Sequence, residues 1–555
     1  MQPRDFGALG ERAFDVLVVG GGIHGLATAL DAAARGLKVA LIDAGDFAAA
    51  TSFNHQRTAH GGLRSLQSAR LGHARESIHE RRALARMAPR LLRPLPFMIG
   101  TYRSLIRSRL ALRAAFRLDR WLGRHRNAEL EPELHLPPAK LTSRAATLKL
   151  FPGVRQEQLT GGADWYDYQI VHTNRLAIAF AEGAAARGAH LVNYAEAIAA
   201  LREAGGRVNG MRVRDVRTGV EADVRARLTI NCAGPAVNAV MNLFGVRREV
   251  PLAKAMNLVT SRPASDIALA APPVPTAPAG RPAATPGPKA DRMLTLVPWH
   301  GRALIGTWHS DDFRRPGDVA VDEHEVAEFI EQANSAFPAL KLTRADVTLV
   351  HRGIVPAAAG RSGRAELLAT SRIFDHGRDG APGAMTVVGT KYTTARAVGA
   401  RAATLAAKAL GASTRPTGTA VTTLPGAGIA DHEALTIETA RAVGLEVAPP
   451  IIRHVTAIYG DRCAAIVRLM AERSDWRMPL IPGRLNIGAE VIHAIRAEMA
   501  CSLADIVIRR TELGAMGHPG AEIVAACARI AAEELGWDAD RRDREIAAVD
   551  QFYVI

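Results

Sequence analysis

Cysteine is scarce in this sequence, which has only four among its 555 residues. They are far apart, with no C-x-x-C pair and no spacing typical of a metal-ligand set. Isolated cysteines of this kind are typical of free, buried thiols in a reducing compartment, so neither a disulfide framework nor a metal site is expected. The four are Cys232, Cys463, Cys501 and Cys527.

Long apolar runs are also absent. No window approaches the roughly 18 uninterrupted apolar residues that a membrane-spanning helix needs. The N-terminal stretch MQPRDFGALGERAF lacks the apolar core of a secretory signal peptide. These two absences favour a cytoplasmic location.

Acidic residues are outnumbered, 55 against 70 lysines and arginines, which gives a formal net charge of +15. Such a balance is typical of contact with nucleic acid, an anionic membrane or anionic substrates, but an arginine-rich proteome produces it too. Aromatics are few, at 5%, and no zinc-finger spacing or aromatic-interleaved RNA motif is present, so nucleic acid is not an expected partner. Arginines cluster between Arg64 and Arg126 around the run LIRSRLALRAAFRLDRWLG, which gives no clean helical stripe and is interpreted as a surface-contact region.

The sequence has what a folded multidomain protein needs. Hydrophobic residues make up 48% and charged residues 23%, the balance of a globular chain. A length of 555 residues exceeds one ordinary core and indicates two or three domains.

The most informative motif lies near the N-terminus. The apolar run FDVLVV has the length of a buried strand, GGGIHGLATALDAAARG follows as a glycine-rich turn and helix, and LKVALID is a second strand. Gly20, Gly22 and Gly25 form G-x-G-x-x-G in the strand–turn–helix–strand context that makes this pattern specific for a dinucleotide. Gly20 permits the turn, Gly22 admits the pyrophosphate and Gly25 permits close helix–strand packing. Asp43 is positioned to accept hydrogen bonds from a ribose diol.

The pattern by itself fits both FAD and NAD. An NAD enzyme would be expected to continue the alternation of strands and helices. TSFNHQRTAHGGLRSL and an arginine-rich region follow instead, which favours FAD.

The chain resembles the FAD-dependent glycerol-3-phosphate dehydrogenases of the D-amino-acid-oxidase-like flavoprotein superfamily. The resemblance runs from about Phe14 to about Glu534. It rests on VVGGGIHGLATALDAAARGLKVALIDAGDFAAATS, HGGLRSL, LTINCAGPAVNAV, VPWHGRALIGTWHSD, VVGTKYTTAR and AIRAEMACSLADIVIRRTELG, which occur in the family's order and spacing.

The resemblance implies which residues hold the flavin. The strand in LTINCAGP ends at a turn that brings Gly234 to the carboxyl edge of a parallel sheet, where ligands bind. Gly389 and Thr393 follow another strand and precede a long helix that would face the isoalloxazine ring. Ser52 and Arg57 would line the pyrophosphate side of FAD.

The glycine pair in HGGLRSL would let the backbone lie against the flavin without a Cβ clash. Gly61, Gly62 and Leu63 are accordingly expected to bind cofactor. His60 and Arg64 would flank the substrate, with Arg64 presenting a fork to a phosphate and His60 accepting or orienting the proton. A loop histidine satisfied by the backbone remains the alternative for His60.

Lys391 and Arg352 complete the expected catalytic set. The resemblance implies that Lys391 reaches the substrate, although a solvated lysine at a helix cap is the other interpretation. The family carries Gly-x-Arg-Pro for the substrate phosphate, whereas this chain has Val355 at the arginine position. Arg352 can substitute only if it points to the same strand face. Ser65 and the bulky loop Phe53–Gln56 also depart from the family.

The predicted fold is α/β, with a Rossmann-like FAD-binding domain interleaved with a mixed or antiparallel substrate sheet, followed by an all-helical C-terminal cap. The oxidoreductase part spans 14–425, and residues 426–555 form the helical domain. Within the first part, the FAD-binding segments are about 14–74, 161–246 and 371–411, and the substrate domain is about 251–360. The Pro/Ala-rich stretch 261–289 is expected to be a mobile surface insertion.

The predicted reaction is oxidation of sn-glycerol 3-phosphate to dihydroxyacetone phosphate by hydride transfer to FAD. The resemblance further implies a quinone acceptor and peripheral attachment to the inner face of the cytoplasmic membrane, and it leaves a homodimer open. Three alternatives remain. They are a flavoenzyme of the same fold acting on another hydroxy acid, polyol or amine, a soluble NAD-dependent dehydrogenase, and a nucleic-acid-associated flavoprotein.

Overall fold

The structure is a computed structural model that describes residues 1, 3–62, 70–103, 108–273, 292–360, 363–428 and 431–554. The strands are β1 (Ala13–Val19), β2 (Val39–Ile42), β3 (Thr58–Ala59), β4 (Leu92–Tyr102), β5 (Lys140–Thr142), β6 (Leu159–Ile170), β7 (His190–Val192), β8 (Ala195–Arg202), β9 (Val208–Asp215), β10 (Glu221–Asn231), β11 (Leu252–Pro263), β12 (Ala268–Ala271), β13 (Leu294–Trp299), β14 (Arg302–His309), β15 (Val347–Ala359), β16 (Ala365–Leu367), β17 (Arg372–Asp375) and β18 (Ala384–Val388).

The α-helices are α1 (Gly7–Glu11), α2 (Ile23–Ala34), α3 (Leu71–Met87), α4 (Arg109–Leu122), α5 (Arg144–Leu150), α6 (Thr173–Ala185), α7 (Val237–Leu243), α8 (Glu323–Ala336), α9 (Ala395–Ala409), α10 (His432–Ala442), α11 (Pro449–Tyr459), α12 (Cys463–Glu472), α13 (Gly488–Glu498), α14 (Ala521–Leu535) and α15 (Ala539–Tyr553). A π-helix spans Asp505–Arg510.

The first layer is a sheet in the order β17-β18-β10-β1-β2-β7, with β8 and β9 joined to the edge of β10. The pairs β18–β10, β10–β1, β1–β2 and β2–β7 are parallel. Alternate residues of β1 enter two different cores. Val16 and Val18 pack beneath α2, α6 and α9, and Leu17 and Val19 pack with β8, β9 and α7. The apolar runs of these strands are thus explained by burial on both faces.

The second layer is a sheet in the order β16-β15-β11-β14-β13-β12-β4-β6-β3, with β5 paired to β6. All of its pairs are antiparallel except β12–β4. The three strands expected from LTLVPW, RALIGTW and DVTLVHRGIV are confirmed as β13, β14 and β15.

The substrate sheet takes in more of the chain than the predicted 251–360 segment. Strands β3, β4 and β6 belong to it, and β6 occupies the start of the segment 161–246 that was assigned to FAD binding. The order of the strands along the sequence does not indicate this arrangement, because the chain passes from the first sheet to the second after β2 and returns to the first at β7.

Within the arginine-rich run, Arg109–Leu122 form an amphipathic helix, α4, so the expectation of no helical stripe is wrong. Leu112, Phe116 and Asp119 form its buried face. Asp119 blurred the pattern, because an acid occupies an inward position where its carboxylate accepts a 2.7 Å hydrogen bond from Arg126.

The chain after residue 426 is mainly helical, as predicted. Helices α10 to α15 and the π-helix share one hydrophobic core. Buried ion pairs fasten this region to the first layer. Arg510 makes two hydrogen bonds of 2.7 and 2.8 Å to Asp46, and Arg175 makes two of the same lengths to Glu498.

Two further expectations concern exposure. All four cysteines are buried and free of disulfides, as predicted. Of the expected insertion 261–289, residues 261–271 include the end of β11 and all of β12, and residues 274–289 lie outside the described part. Among the described residues, no helix combines the length and the apolar content needed to cross a bilayer.

Candidate active site

A glycine loop connects β1 to α2 at the carboxyl edge of the parallel sheet. Gly20 has φ of +110°, and a Cβ there would lie 2.6 Å from the carbonyl oxygen of Cys232. A Cβ on Gly25 would lie 1.8 Å from the carbonyl oxygen of Gly20. Both positions therefore exclude any side chain, and α2 begins in direct contact with the end of β1.

The segment after β2 folds back onto the start of α2. Gly22 is the N-cap residue and offers no side-chain cap. The hydroxyl of Ser52 instead accepts a 2.9 Å hydrogen bond from the amide of Ile23. The structure thus brings Ser52 to the positive end of the helix dipole, which favours a phosphate.

Asp43 directly follows β2, and its side chain stabilises the same loop. Its carboxylate accepts hydrogen bonds from the amides of Gly21, at 2.6 Å, and Gly45, at 2.8 Å. Burial raises the pKa of Asp43 to about 6, although these two amide hydrogen bonds act in the opposite direction. The side chain is half-exposed, so it can also receive a ribose hydroxyl.

Gly234 and Gly389 lie at the ends of two neighbouring strands of this edge. Gly234 follows β10, is exposed and has φ of +53°. A Cβ on Gly389 would lie 2.4 Å from the ring of His24, the second residue of α2. Burial, aided by the positive charge of Arg401, lowers the pKa of His24 to about 4, and its Nε2 is buried without a partner. Sequence reasoning missed His24, because a residue inside the glycine motif carries no signal of its own.

These features fit a bound dinucleotide. The loop admits no side chain, the helix start faces it, and an acid stands at the end of the second strand. At the same edge, Nε2 of His24 is buried without a hydrogen-bond partner.

His60 is held by a buried carboxylate that the sequence did not reveal. The Nδ1 of His60 lies 3.1 Å from Oδ2 of Asp167 on β6, and the His60 side chain is 49% exposed. Asp167 also pairs with the buried guanidinium of Arg81 on α3. Burial alone would raise the pKa of Asp167, but the His60 hydrogen bond and the Arg81 charge hold it below its ordinary value. Asp167 is therefore ionised and fixes the orientation of the imidazole.

The glycine pair after His60 packs against α3. A Cβ on Gly61 would lie 2.2 Å from Nη1 of Arg81, and a Cβ on Gly62, which has φ of +81°, would lie 2.9 Å from Cβ of Ser77. Packing against the helix is thus one reason for two glycines. Contact with flavin stays a prediction for both, and Leu63 and Arg64 lie outside the described residues.

The motif VVGTKYTTAR runs from β18 to the start of α9 and contacts His60. The hydroxyl of Thr393 accepts a 3.0 Å hydrogen bond from the amide of His60. Lys391 is half-buried between the two elements. His60 and Thr393 are therefore neighbours, and the expected contact of Lys391 with the substrate stays a prediction.

Arg57 is enclosed rather than placed along the glycine loop. Its guanidinium lies 5.1 Å from the ring of Phe53 and 4.7 Å from that of Trp299, and one of its nitrogens is 3.4 Å from Nε2 of His351. Burial lowers the pKa of Arg57 to about 10. Burial and the Arg57 charge lower the pKa of His55 and of His351, so both imidazoles are neutral. The expected contact of Arg57 with the pyrophosphate stays a prediction.

Arg352 does not replace the missing arginine on its strand face. On β15, His351 and Val355 share one face, and Arg352 lies on the other. Its guanidinium is 5.9 Å from the ring of Phe552 on the C-terminal helix, and its amide donates a 3.2 Å hydrogen bond to Asn54. The candidate role of Arg352 in substrate binding therefore has no support from its contacts.

Comparison with known proteins agrees with this geometry. The family model of FAD-dependent oxidoreductases matches residues 15–405, and that of the C-terminal domain of alpha-glycerophosphate oxidase matches residues 417–542. The glycerol-3-phosphate dehydrogenase of Mycobacterium leprae is 32% identical over 97% of this chain and 88% of its own length. That of Synechocystis is 30% identical over 99% of this chain and 98% of its own length.

The chain belongs to the glycerol-3-phosphate dehydrogenase family of FAD-dependent oxidoreductases. The predicted enzyme class is confirmed, and FAD rather than NAD is the cofactor. A solved structure of the glycerol-3-phosphate dehydrogenase of Bacillus halodurans, complexed with FAD, is similar in fold. It has a TM-score of 0.73 and 21% identity, and the match covers 99% of this chain and 96% of that one.

Proposed function

We propose that this enzyme oxidises sn-glycerol 3-phosphate to dihydroxyacetone phosphate and passes the electrons to a quinone. The observation that carries the proposal is the His60–Asp167 pair, an exposed imidazole backed by a buried carboxylate and joined through its amide to Thr393. A secondary alcohol needs such a proton acceptor as it loses hydride. Curated relatives named glycerol-3-phosphate dehydrogenase supply the substrate class.

The residues of this chain divide the work in the following way. Bound FAD supplies the hydride acceptor. Asp167 holds Nδ1 of His60, so that Nε2 faces the hydroxyl and takes its proton. Lys391 and Arg64 bind the substrate anion. Gly20, Gly22, Gly25, Asp43 and Ser52 hold the dinucleotide.

The test is anaerobic reduction of the flavin. Glycerol 3-phosphate should bleach the oxidised flavin spectrum, and glycerol at the same concentration should not. His60→Ala should slow the bleaching by about 100-fold or more, since general-base catalysis is worth about that much. His79→Ala, which removes an exposed histidine from α3, is the matched control. Equal rates in the two variants would contradict the role of His60.

A second candidate function rests on Val355 and on the direction of Arg352. With no arginine on that face of β15, the enzyme would oxidise a different hydroxy acid, polyol or amine. A panel of these compounds in the same anaerobic assay separates the candidates, because the true substrate should bleach the flavin at the lowest concentration.

We further propose that the enzyme attaches to an anionic membrane surface through α4. Its outer face carries exposed arginines beside two exposed apolar side chains, Leu110 at 77% and Trp121 at 63%. Exposed apolar side chains flanked by cations are typical of a helix that lies on an anionic bilayer. The arginines are Arg113, Arg117 and Arg120.

Vesicle sedimentation tests this attachment. Wild-type protein should sediment with vesicles containing phosphatidylglycerol and should be released by salt. Arg113→Glu combined with Arg117→Glu should abolish sedimentation, and Arg441→Glu combined with Arg544→Glu, which changes the charge equally on the C-terminal domain, should not. Equal binding by both double variants would remove α4 from the proposal.

The acceptor is tested separately with the purified enzyme. A soluble quinone analogue should reoxidise the reduced flavin faster than oxygen does. Faster reoxidation by oxygen would instead indicate an oxidase.

A further inference from the structure

Two histidines and a glutamate from three separate parts of the chain lie close together in the structure. His172 is the N-cap residue of α6, His300 lies in the turn between β13 and β14, and Glu512 follows the π-helix of the C-terminal domain. One nitrogen of each histidine and a carboxylate oxygen of Glu512 lie within 4.8 Å of one another. We refer to these three residues as the His–Glu cluster.

The spacing of the cluster matches a metal-ligand set. Nδ1 of His172 is 2.8 Å, and Nε2 of His300 is 3.7 Å, from Oε2 of Glu512. Ligands around a tetrahedral Zn²⁺, at about 2.0–2.2 Å from the metal, are roughly 3.3 Å apart. The two observed separations lie on either side of that value, so small side-chain rotations suffice to admit an ion.

The backbone at two of the three positions is held in an unusual conformation. His300 has φ of +47° and Glu512 has φ of +58°, in the left-handed region that few residues other than glycine, asparagine, aspartate and histidine adopt. At His300 the conformation belongs to the two-residue hairpin turn His300-Gly301, in which Gly301 also has a positive φ of +76°.

The chemistry of the donors suits a borderline transition metal. Two imidazole nitrogens and a carboxylate oxygen are donors that Zn²⁺ binds, and all three bind it in their deprotonated forms. The His300 side chain is 38% exposed and gives solvent access, whereas the side chains of His172 and Glu512 are 14% and 9% exposed.

We propose that the His–Glu cluster binds one divalent transition-metal ion, Zn²⁺ being the expected one, and so clamps the C-terminal domain onto the second sheet. Two imidazoles and one carboxylate are a known Zn²⁺ set, with a fourth position left for water. Arg57 lies within electrostatic reach of Glu512 and opposes a cation there. The affinity should therefore fall below that of all-protein structural zinc sites.

Metal content of the FAD-loaded enzyme is the first measurement. After treatment with a chelator and dialysis against Zn²⁺, wild-type enzyme should retain about one equivalent per chain. His300→Ala and Glu512→Gln should each weaken Zn²⁺ binding by more than about tenfold. His324→Ala, which removes an exposed histidine from α8, is the control and should bind as wild type does.

Thermal unfolding separates a metal clamp from a hydrogen-bond network. Glu512→Gln keeps an oxygen that accepts from His172 but is a poor ligand, so folding should survive, as judged by retained flavin. Zn²⁺ should raise the Tm of the wild type and of His324→Ala and leave that of Glu512→Gln unchanged, because only a metal bound to the folded state stabilises it. Zn²⁺ content and Tm that do not distinguish Glu512→Gln from wild type would overturn the proposal.

Discussion

His60 and Asp167 lie 107 positions apart in the sequence, and their side chains are 3.1 Å apart in the structure. Asp167 reaches His60 because β6 runs through the substrate sheet beside β3, which immediately precedes His60. The carboxylate of Asp167 is buried and the imidazole of His60 is half exposed, so Asp167 is fixed in the interior while the His60 ring is open to solvent. The position of His60 is therefore determined by the sheet as well as by its own loop.

We expect Asp167→Asn to destabilise the enzyme by about 3 kcal/mol at neutral pH, because it leaves Arg81 buried without a counter-ion. Chemical unfolding monitored by circular dichroism measures this difference. Asp164→Asn on the same strand is the control. Burial raises the pKa of Asp164, so loss of its charge should cost little or nothing.

The Asp167 contribution should also depend on pH. Its folded-state pKa is below the ordinary value of 3.8, so its stabilisation is present above about pH 4 and is lost as pH falls through the lowered value. The stability difference between wild type and Asp167→Asn should therefore be constant from neutral pH to about 5 and shrink below about 4. A difference that grew on acidification would contradict this sign.

FAD affinity should rise with pH and level off above about 6. The pKa of Asp43 is raised to about 6, and a ribose diol hydrogen-bonds better to the ionised carboxylate, so binding releases a proton below that pH. The dissociation constant should change by up to about tenfold per pH unit below 6. Asp43→Asn should bind FAD more weakly and show no such dependence. Fluorescence titration of the stripped enzyme with FAD measures both.

Much of this architecture could be predicted from local sequence. The glycine loop, β1, α2 and β2 were predictable because the glycine spacing and the apolar runs all lie within one segment of about 30 residues. The antiparallel strands β13 and β14 followed from alternation. The placement of β6 did not follow, because pairing partners in the second sheet come from distant parts of the chain.

The candidate site divides in the same way. Gly20, Gly25 and Ser52 lie together at the start of α2, and their contact with FAD stays a prediction. Asp167 and the His–Glu cluster were missed, because their members carry no shared motif and meet only through the tertiary fold. Arg352 was a weak candidate for a reason already visible in the sequence, since it has odd spacing from Val355 along a strand.

Gly25→Ala should prevent assembly of the dinucleotide site. Its Cβ would lie 1.8 Å from a backbone oxygen, which cannot move away as a flexible side chain can. We expect a loss of about 3 kcal/mol or more in unfolding free energy, with loss of flavin on purification. Gly72→Ala, at a position with no atom within 4 Å of the new methyl group, should keep wild-type Tm and flavin content. Retention of FAD by Gly25→Ala would show that α2 can move away from β1.

Val355→Arg tests the substrate directly. Val355 is half-buried on the face of β15 that it shares with His351, so a longer side chain can extend from it. If the substrate is glycerol 3-phosphate, a restored guanidinium should lower the KM by about tenfold, through one charge-assisted contact to the phosphate. Val355→Met, which adds length without charge, should leave the KM within about twofold of wild type. Neither change should affect oxidation of a substrate that lacks an anionic group. An unchanged KM for glycerol 3-phosphate in Val355→Arg, with flavin fully bound, would mean that the phosphate is held elsewhere or that the natural substrate has none.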